Sequence, residues 1–174
     1  ILTASSGGGL TAGVASAVRS LSEDTKIMTV EPEHHDDHAR SFKQGRRVRN
    51  NEAPTSICDA LLAPEPGELT WAVNERLVTG GLTVTDQQVK AAIRFAFQEL
   101  KLVVEPGGAA TLAAVLGNND LKGKNVFIGP PGGAATRVVR TMIKSQVGYV
   151  DGKDYKKISW AEVKKITIKV ANAK

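Results

Sequence analysis

Ser5-Ser6-Gly7-Gly8-Gly9 is the first segment of the chain whose residue types and spacing suit a definite chemistry. Glycines let backbone N–H groups close around an anion, and a helix N-terminus behind them adds partial positive charge. The flanks supply that setting. Ile1-Leu2-Thr3-Ala4 reads as a buried strand, and Leu10, Val14, Ala17, Val18 and Leu21 recur at helical spacing. The indicated chemistry is phosphate binding, with a tight strand–helix turn as the alternative. No Gly-Lys-Ser/Thr ends the loop, so it is not a Walker loop, and the G-x-G-x-x-G dinucleotide spacing is missing. A second group is His34, His35 and His38, three histidines in five residues. His34 and His38 are four apart, and with Asp37 they could bind zinc on a helix face. A polar helix start is the alternative.

These residues need elements to hold them. Lys26–Val30 reads as a short strand stopped by Glu31-Pro32, and Asp36–Lys43 as a short helix. Residues 44–56, with Gly45, Arg46, Arg47, Arg49 and Pro54, read as an exposed loop. Leu69–Leu77 is expected to be helical and Leu82–Val84 extended. Thr85 and Gln88 have the spacing of a capping box. The helix they start is expected to run to Leu100, with Val89, Ile93, Ala96, Phe97 and Leu100 on its inner face. Pro106 suits the first turn of the next helix, whose small side chains from Ala109 predict tight internal packing. Asn125–Ile128 reads as another strand. This alternation predicts an α/β fold, a parallel sheet with helices on both faces.

The chain has 174 residues and a net charge of +5, but the charge is divided. Residues 1–120 carry 11 basic and 15 acidic groups, a net of −4, whereas residues 121–174 carry 12 basic and 3 acidic groups, a net of +9. No apolar run approaches the ~20 residues of a membrane-spanning helix. One cysteine, Cys58, excludes an internal disulfide framework and a cysteine-rich zinc site. No basic segment followed by an apolar stretch opens the chain, so the expectation is a protein that is not secreted, in cytoplasm or an organellar matrix.

Ser5 to Gly13 resembles the phosphate loop of the pyridoxal-phosphate-dependent serine/threonine dehydratases and serine racemases. Further motifs follow in the family's order: Thr29-Val30-Glu31-Pro32, Asp36-Asp37, Ala39-Arg40-Ser41, Ser56 to Leu61, Pro66 to Thr70, Leu82 to Asp86 and Leu102 to Ala109. The resemblance covers about residues 1–128, the C-terminal half of a fold type II catalytic unit. It implies that Ser6, Gly7, Gly8 and Gly9 hold the phosphate of pyridoxal phosphate, with Ser6 where the family usually has a fourth glycine. It implies that Glu105 lies near the cofactor ring, although an acidic residue there also favours a helix N-terminus. It implies that Glu31, Asp37 and the backbone carbonyl of His35 bind Mg²⁺ or a similar cation, a donor set suited to a hard ion.

The same resemblance defines departures. The family's Schiff-base lysine lies in the N-terminal half, and no lysine between Lys26 and Lys101 stands in an equivalent motif. Pro131 stands where the family has a Ser/Thr hydroxyl facing the pyridine nitrogen. The expectation is therefore half of a threonine or serine dehydratase, inactive alone and joined to an N-terminal catalytic half. The alternative is a non-catalytic descendant serving as a subunit of a larger assembly, with pyridoxal phosphate vestigial. Residues 129–174 read as a basic α+β extension. Its features are a stripe of Val138, Val139, Met142 and Ile143, a capping pair Ser159 and Glu162, and alternation over 166–170. Tyr149, Tyr155 and Trp160 among basic residues have the make-up of a single-stranded nucleic-acid surface. No nucleic-acid motif accompanies them, and a protein contact is the expectation.

Overall fold

The structure is a computed structural model that describes residues 1–50, 55–117, 125–126 and 156–157. The chain divides into two compact units, residues 1–114 and 115–174. In the first, strands β1 (Leu2–Ala4), β2 (Met28–Pro32) and β3 (Gly80–Val84) form a parallel sheet in that order. Helices α1 (Gly9–Leu21), α2 (Asp37–Gln44), α3 (Glu68–Leu77) and α4 (Asp86–Phe95) alternate with the strands. Helix α5 (Pro106–Gly117) follows. In the second unit, β4 (Asn125–Val126) pairs in parallel with β5 (Lys156–Lys157). Residues 127–128, the turn containing Pro131 and the remaining tail features lie outside the described residues.

Strand β2 is central, and its last four residues are buried. It runs two residues further than the sequence suggests, through Glu31 and Pro32. Proline, which has no N–H, is tolerated there because the ladder bond at this end comes from the Glu33 N–H, which donates to the Val84 carbonyl at 2.8 Å. Strand β3 likewise begins earlier, at Gly80. A Cβ at Gly81 would stand 2.7 Å from Thr29 Oγ1 and 2.8 Å from Ala39 Cα, so glycine lets β2 and α2 close onto this strand.

Helix α1 differs from its expected inner face. Thr11 and Ala15 are buried, while Leu10 and Leu21 are 67% and 88% exposed. Thr11 is the inner residue because its hydroxyl meets Thr3 Oγ1 at 2.9 Å and Ser5 Oγ at 3.3 Å. Helix α4 opens with the expected capping box: Gln88 N donates to Thr85 Oγ1, and Thr85 N donates to Gln88 Oε1. It turns into a π-helical segment over Ala96–Leu100. Ala92 and Phe95 are buried before that segment, and within the wider turn Phe97 leaves the inner face and is 63% exposed. Helix α5 buries Gly107, Ala109, Ala110, Ala113 and Ala114, as its small side chains predict. Phe42 of α2 and Trp71 of α3 lie 5.3 Å apart, centroid to centroid, a contact worth about 1 kcal/mol beyond area burial.

Candidate functional site

The glycine loop leaves the end of β1, and the Ser5 N–H still donates to the Val30 carbonyl at 3.0 Å. Gly8 then takes a left-handed conformation, φ +88°, and caps α1 with no side-chain hydrogen bond. The first turn of α1 has no acidic residue. Neither its N-cap nor its first turn therefore supplies a side-chain acceptor to the N-terminal N–H groups.

Helix α3 holds the loop from behind. The Gly67 N–H and the Thr70 hydroxyl both donate to the Gly7 carbonyl, and Asn74 Nδ2 donates to the Gly8 carbonyl at 3.2 Å. No peptide bond in the described residues is cis, so each carbonyl points opposite to the N–H of its own peptide unit. Anchoring the Gly7 and Gly8 carbonyls on α3 therefore turns the N–H groups of Gly8 and Gly9 away from α3. Ser6 Oγ accepts the Ala63 N–H at 3.2 Å, which ties the loop to a second segment.

The loop lines an open cleft of about 340 Å³. Ser6, Gly7, Gly8 and Gly9 form one part of its wall, and Glu105, Gly107 and Gly108 at the start of α5 form another. All five residues expected at the cofactor thus border one cleft. Glu105 is exposed and stands one residue before the helix it was also expected to favour.

A second cluster lies on the other side of Gly8. Glu31, at the end of β2, accepts the His38 N–H through Oε1 and the Ala39 N–H through Oε2, both at 2.9 Å. It therefore serves as a cap for α2, whose own N-cap residue Asp36 makes no side-chain cap. His38 Nδ1 stands 3.1 Å from Glu31 Oε1 and 3.4 Å from Asp37 Oδ2, and all three side chains are buried. Asp37 Oδ1 accepts from Asn50 Nδ2 at 2.7 Å, while Asp37 Oδ2 and His38 Nε2 have no hydrogen-bond partner among the described residues. Burial pulls the His38 imidazole toward neutrality, but the two carboxylates outweigh it and raise its pKa to about 9. Burial raises the Glu31 carboxyl above its usual range, against the opposing pull of His38.

The structure separates the histidines. His34 is exposed, has φ +70° and precedes α2, so it shares no helix face with His38. The zinc pattern of His34, Asp37 and His38 is thereby replaced by Glu31, Asp37 and His38, whose donor atoms lie within 4.8 Å of one another. The reason is the turn closed by His35 N–H to the Pro32 carbonyl, 3.0 Å, which delays the helix until Asp37. Sequence reasoning missed Thr70 and Asn74. Their signal was present as two uncharged polar residues four apart, on one face of α3. Asn50 had no local signal, because its partner Asp37 lies 13 residues away.

Residues 1–132 match the family described as pyridoxal-phosphate dependent enzyme. The chain belongs to that family. It is 35% identical over 127 residues to L-threonine ammonia-lyase of Thermotoga maritima, covering 73% of this chain and 31% of that protein. It is 41% identical over 128 residues to L-threo-3-hydroxyaspartate ammonia-lyase of Saccharomyces cerevisiae, covering 73% and 39%. The crystal structure of a T.th. threonine deaminase superposes with a TM-score of 0.65 at 42% identity, over 68% of this chain and 42% of that one. The described parallel sheet and its helices are thus part of a fold type II unit. The chain spans about a third of the length of these curated relatives. Among the described residues no helix is long and apolar enough to cross a membrane.

Proposed function

We propose that this chain carries the phosphate cradle and a divalent-cation site of a pyridoxal-phosphate-dependent ammonia-lyase acting on a hydroxy amino acid of the threonine or serine type. The observation that carries the reading is the α3-anchored loop, which turns the Gly8 and Gly9 N–H groups away from α3 at the wall of an open cleft. Helix N–H groups with no side-chain cap and no acidic residue in the first turn fit a phosphate dianion.

Ser6, Gly7, Gly8 and Gly9 would hold the phosphate, through backbone N–H groups and the Ser6 hydroxyl hydrogen. Glu105, exposed at the cleft wall, would accept a hydrogen bond on the ring side. When bound, the cofactor supplies an electron sink for bond breaking at the amino acid's α-carbon. The amine that attaches it and moves the α-proton belongs, in this reading, to a lysine outside these 174 residues, on a further segment or an associated chain. Exposed Leu10, Leu69, Phe97 and Val103 support a further covering surface. The net reaction would convert threonine to 2-oxobutanoate and ammonia, or serine to pyruvate and ammonia.

Glu31, Asp37 and the His35 carbonyl would hold the cation. The buried Asp37 Oδ2 fits that role, because among the described residues it makes no hydrogen bond and only a long ion pair, 3.4 Å, offsets its lost water. The test uses the intact protein with any associated chain. Ammonia release from threonine, serine and 3-hydroxyaspartate is measured with and without added pyridoxal phosphate. The reading expects cofactor-dependent release from at least one of them. Cofactor binding with no release from any would reduce the protein to a non-catalytic phosphate binder.

A further inference from the structure

We infer that His38 Nδ1 is a third side-chain ligand at the Glu31–Asp37 cation site, and that this site takes a first-row transition ion in preference to Mg²⁺. The inference rests on the proposal that Glu31 and Asp37 hold a divalent cation, and it adds a nitrogen donor to their oxygens.

The spacing fits a coordination shell. Donors about 2.1 Å from one metal ion stand about 3.0 Å apart as octahedral neighbours and about 3.4 Å apart as tetrahedral ones. Nδ1 lies 3.1 Å from Glu31 Oε1 and 3.4 Å from Asp37 Oδ2. Asp37 Oδ2 is buried and, among the described residues, makes no hydrogen bond within the usual geometry, its contact with Nδ1 being a long ion pair of 3.4 Å.

Charge points the same way. With both carboxylates ionised, a proton on the imidazole leaves the buried cluster at net −1. A divalent ion bound to neutral imidazole brings it to zero. The exchange is balanced: Nδ1 releases its proton to solvent and gives its lone pair to the metal.

The other face of the ring is already constrained. A Cβ at Gly8 would meet His38 Nε2 at 2.7 Å and Asn74 Nδ2 at 2.8 Å, so both side chains abut the glycine. A metal at Nδ1 fixes the proton on Nε2, and metal-bound histidines commonly donate that N–H to a second group. Asn74 Oδ1 is a buried acceptor without a partner among the described residues. His38 Nε2 likewise has no hydrogen-bond partner among the described residues, so a proton fixed there displaces no existing bond.

An imidazole ligand changes which ions are preferred. Mg²⁺ favours oxygen donors and retained waters, whereas Mn²⁺, Co²⁺ and Zn²⁺ accept imidazole, and Zn²⁺ binds such sites more tightly than Mn²⁺. The intact protein, with any associated chain, is stripped with chelator and loaded with Mn²⁺. Pulsed electron paramagnetic resonance then reads whether a nitrogen is bonded to the metal. The expected result is imidazole nitrogen modulation in the wild type and its loss in His38→Gln. In a displacement titration Zn²⁺ should replace Mn²⁺ far below the Mg²⁺ concentration that does so. His38→Gln should shrink that advantage at least ~10-fold, the lower end of losses that follow even when only a group hydrogen-bonded to a metal ligand is changed.

Bound Mn²⁺ without nitrogen modulation in the wild type overturns the inference and leaves an oxygen-only cation site standing. Modulation that survives in folded His38→Gln assigns the nitrogen to His34 or His35 and also overturns it. No retained Mn²⁺ overturns both this inference and the cation site. Should His38→Gln fail to fold, His38→Asn replaces it, and the wild-type spectrum decides by itself against an oxygen-only site.

Discussion

Gly8→Ala is the sharpest perturbation of the loop. Gly8 has φ +88°, and an L-residue in the left-handed region costs roughly 1–2 kcal/mol. The added Cβ would stand 2.7 Å from His38 Nε2, 2.8 Å from Asn74 Nδ2 and 3.0 Å from Thr70 Oγ1, all on buried or half-buried side chains. Moving Asn74 breaks its bond to the Gly8 carbonyl and leaves buried polar groups unpaired, a further 1–3 kcal/mol or so. The expected loss is about 2–5 kcal/mol. Gly9→Ala is the control, because its Cβ meets nothing within 4 Å and the residue begins a helix. It should lie within about 1 kcal/mol of wild type. Urea unfolding of the intact protein compares the two. Equal midpoints would refute the claim that side chains from α2 and α3 close against the back of Gly8. A change in slope would mean the comparison is not two-state.

Asn74→Ala removes the anchor of the Gly8 carbonyl and should cost about 1–3 kcal/mol in urea unfolding while weakening pyridoxal phosphate binding, read by equilibrium dialysis. Thr85→Ala removes the side-chain acceptor of the capping box and should cost about 1 kcal/mol with no change in cofactor affinity. In chelator, stability should fall as pH rises from 6.5 through about 9. His38 carries a raised pKa, so its contribution is full below the unfolded value and lost above the folded one. Glu31, also raised, works in the same direction, since forming its buried charge opposes folding. Unfolding midpoints measured across this range should flatten in His38→Gln, and an unchanged pH slope would contradict the charged His38.

The strand–loop–helix order was legible because each piece carried a local signal: the glycine run, the 3.6-residue periodicity and the Thr85–Gln88 pair. The inner faces were less legible. Leu10 and Leu21 looked like core by hydrophobicity, yet Thr11 took the inner position because its hydroxyl found Thr3 and Ser5. The end of α4 was hidden because a π turn changes the period, and no residue type announces it. At the candidate site, the glycines and carboxylates were visible from their motifs. What holds them was not. Glu31 reaches across to cap α2, and Asn50 reaches across to Asp37, and such pairings exist only once the chain has folded.

In the proposed function the backbone N–H groups at Gly8 and Gly9 receive the cofactor's phosphate. The most direct measurement is amide NMR of the ¹⁵N-labelled intact protein during titration with pyridoxal phosphate, with ³¹P resonances followed in parallel. Saturable downfield shifts are expected at the Gly8 and Gly9 amides, with a bound phosphate signal that stays dianionic across neutral pH. Binding that leaves both amides unmoved, or a phosphate that titrates as it does free in solution, would contradict it.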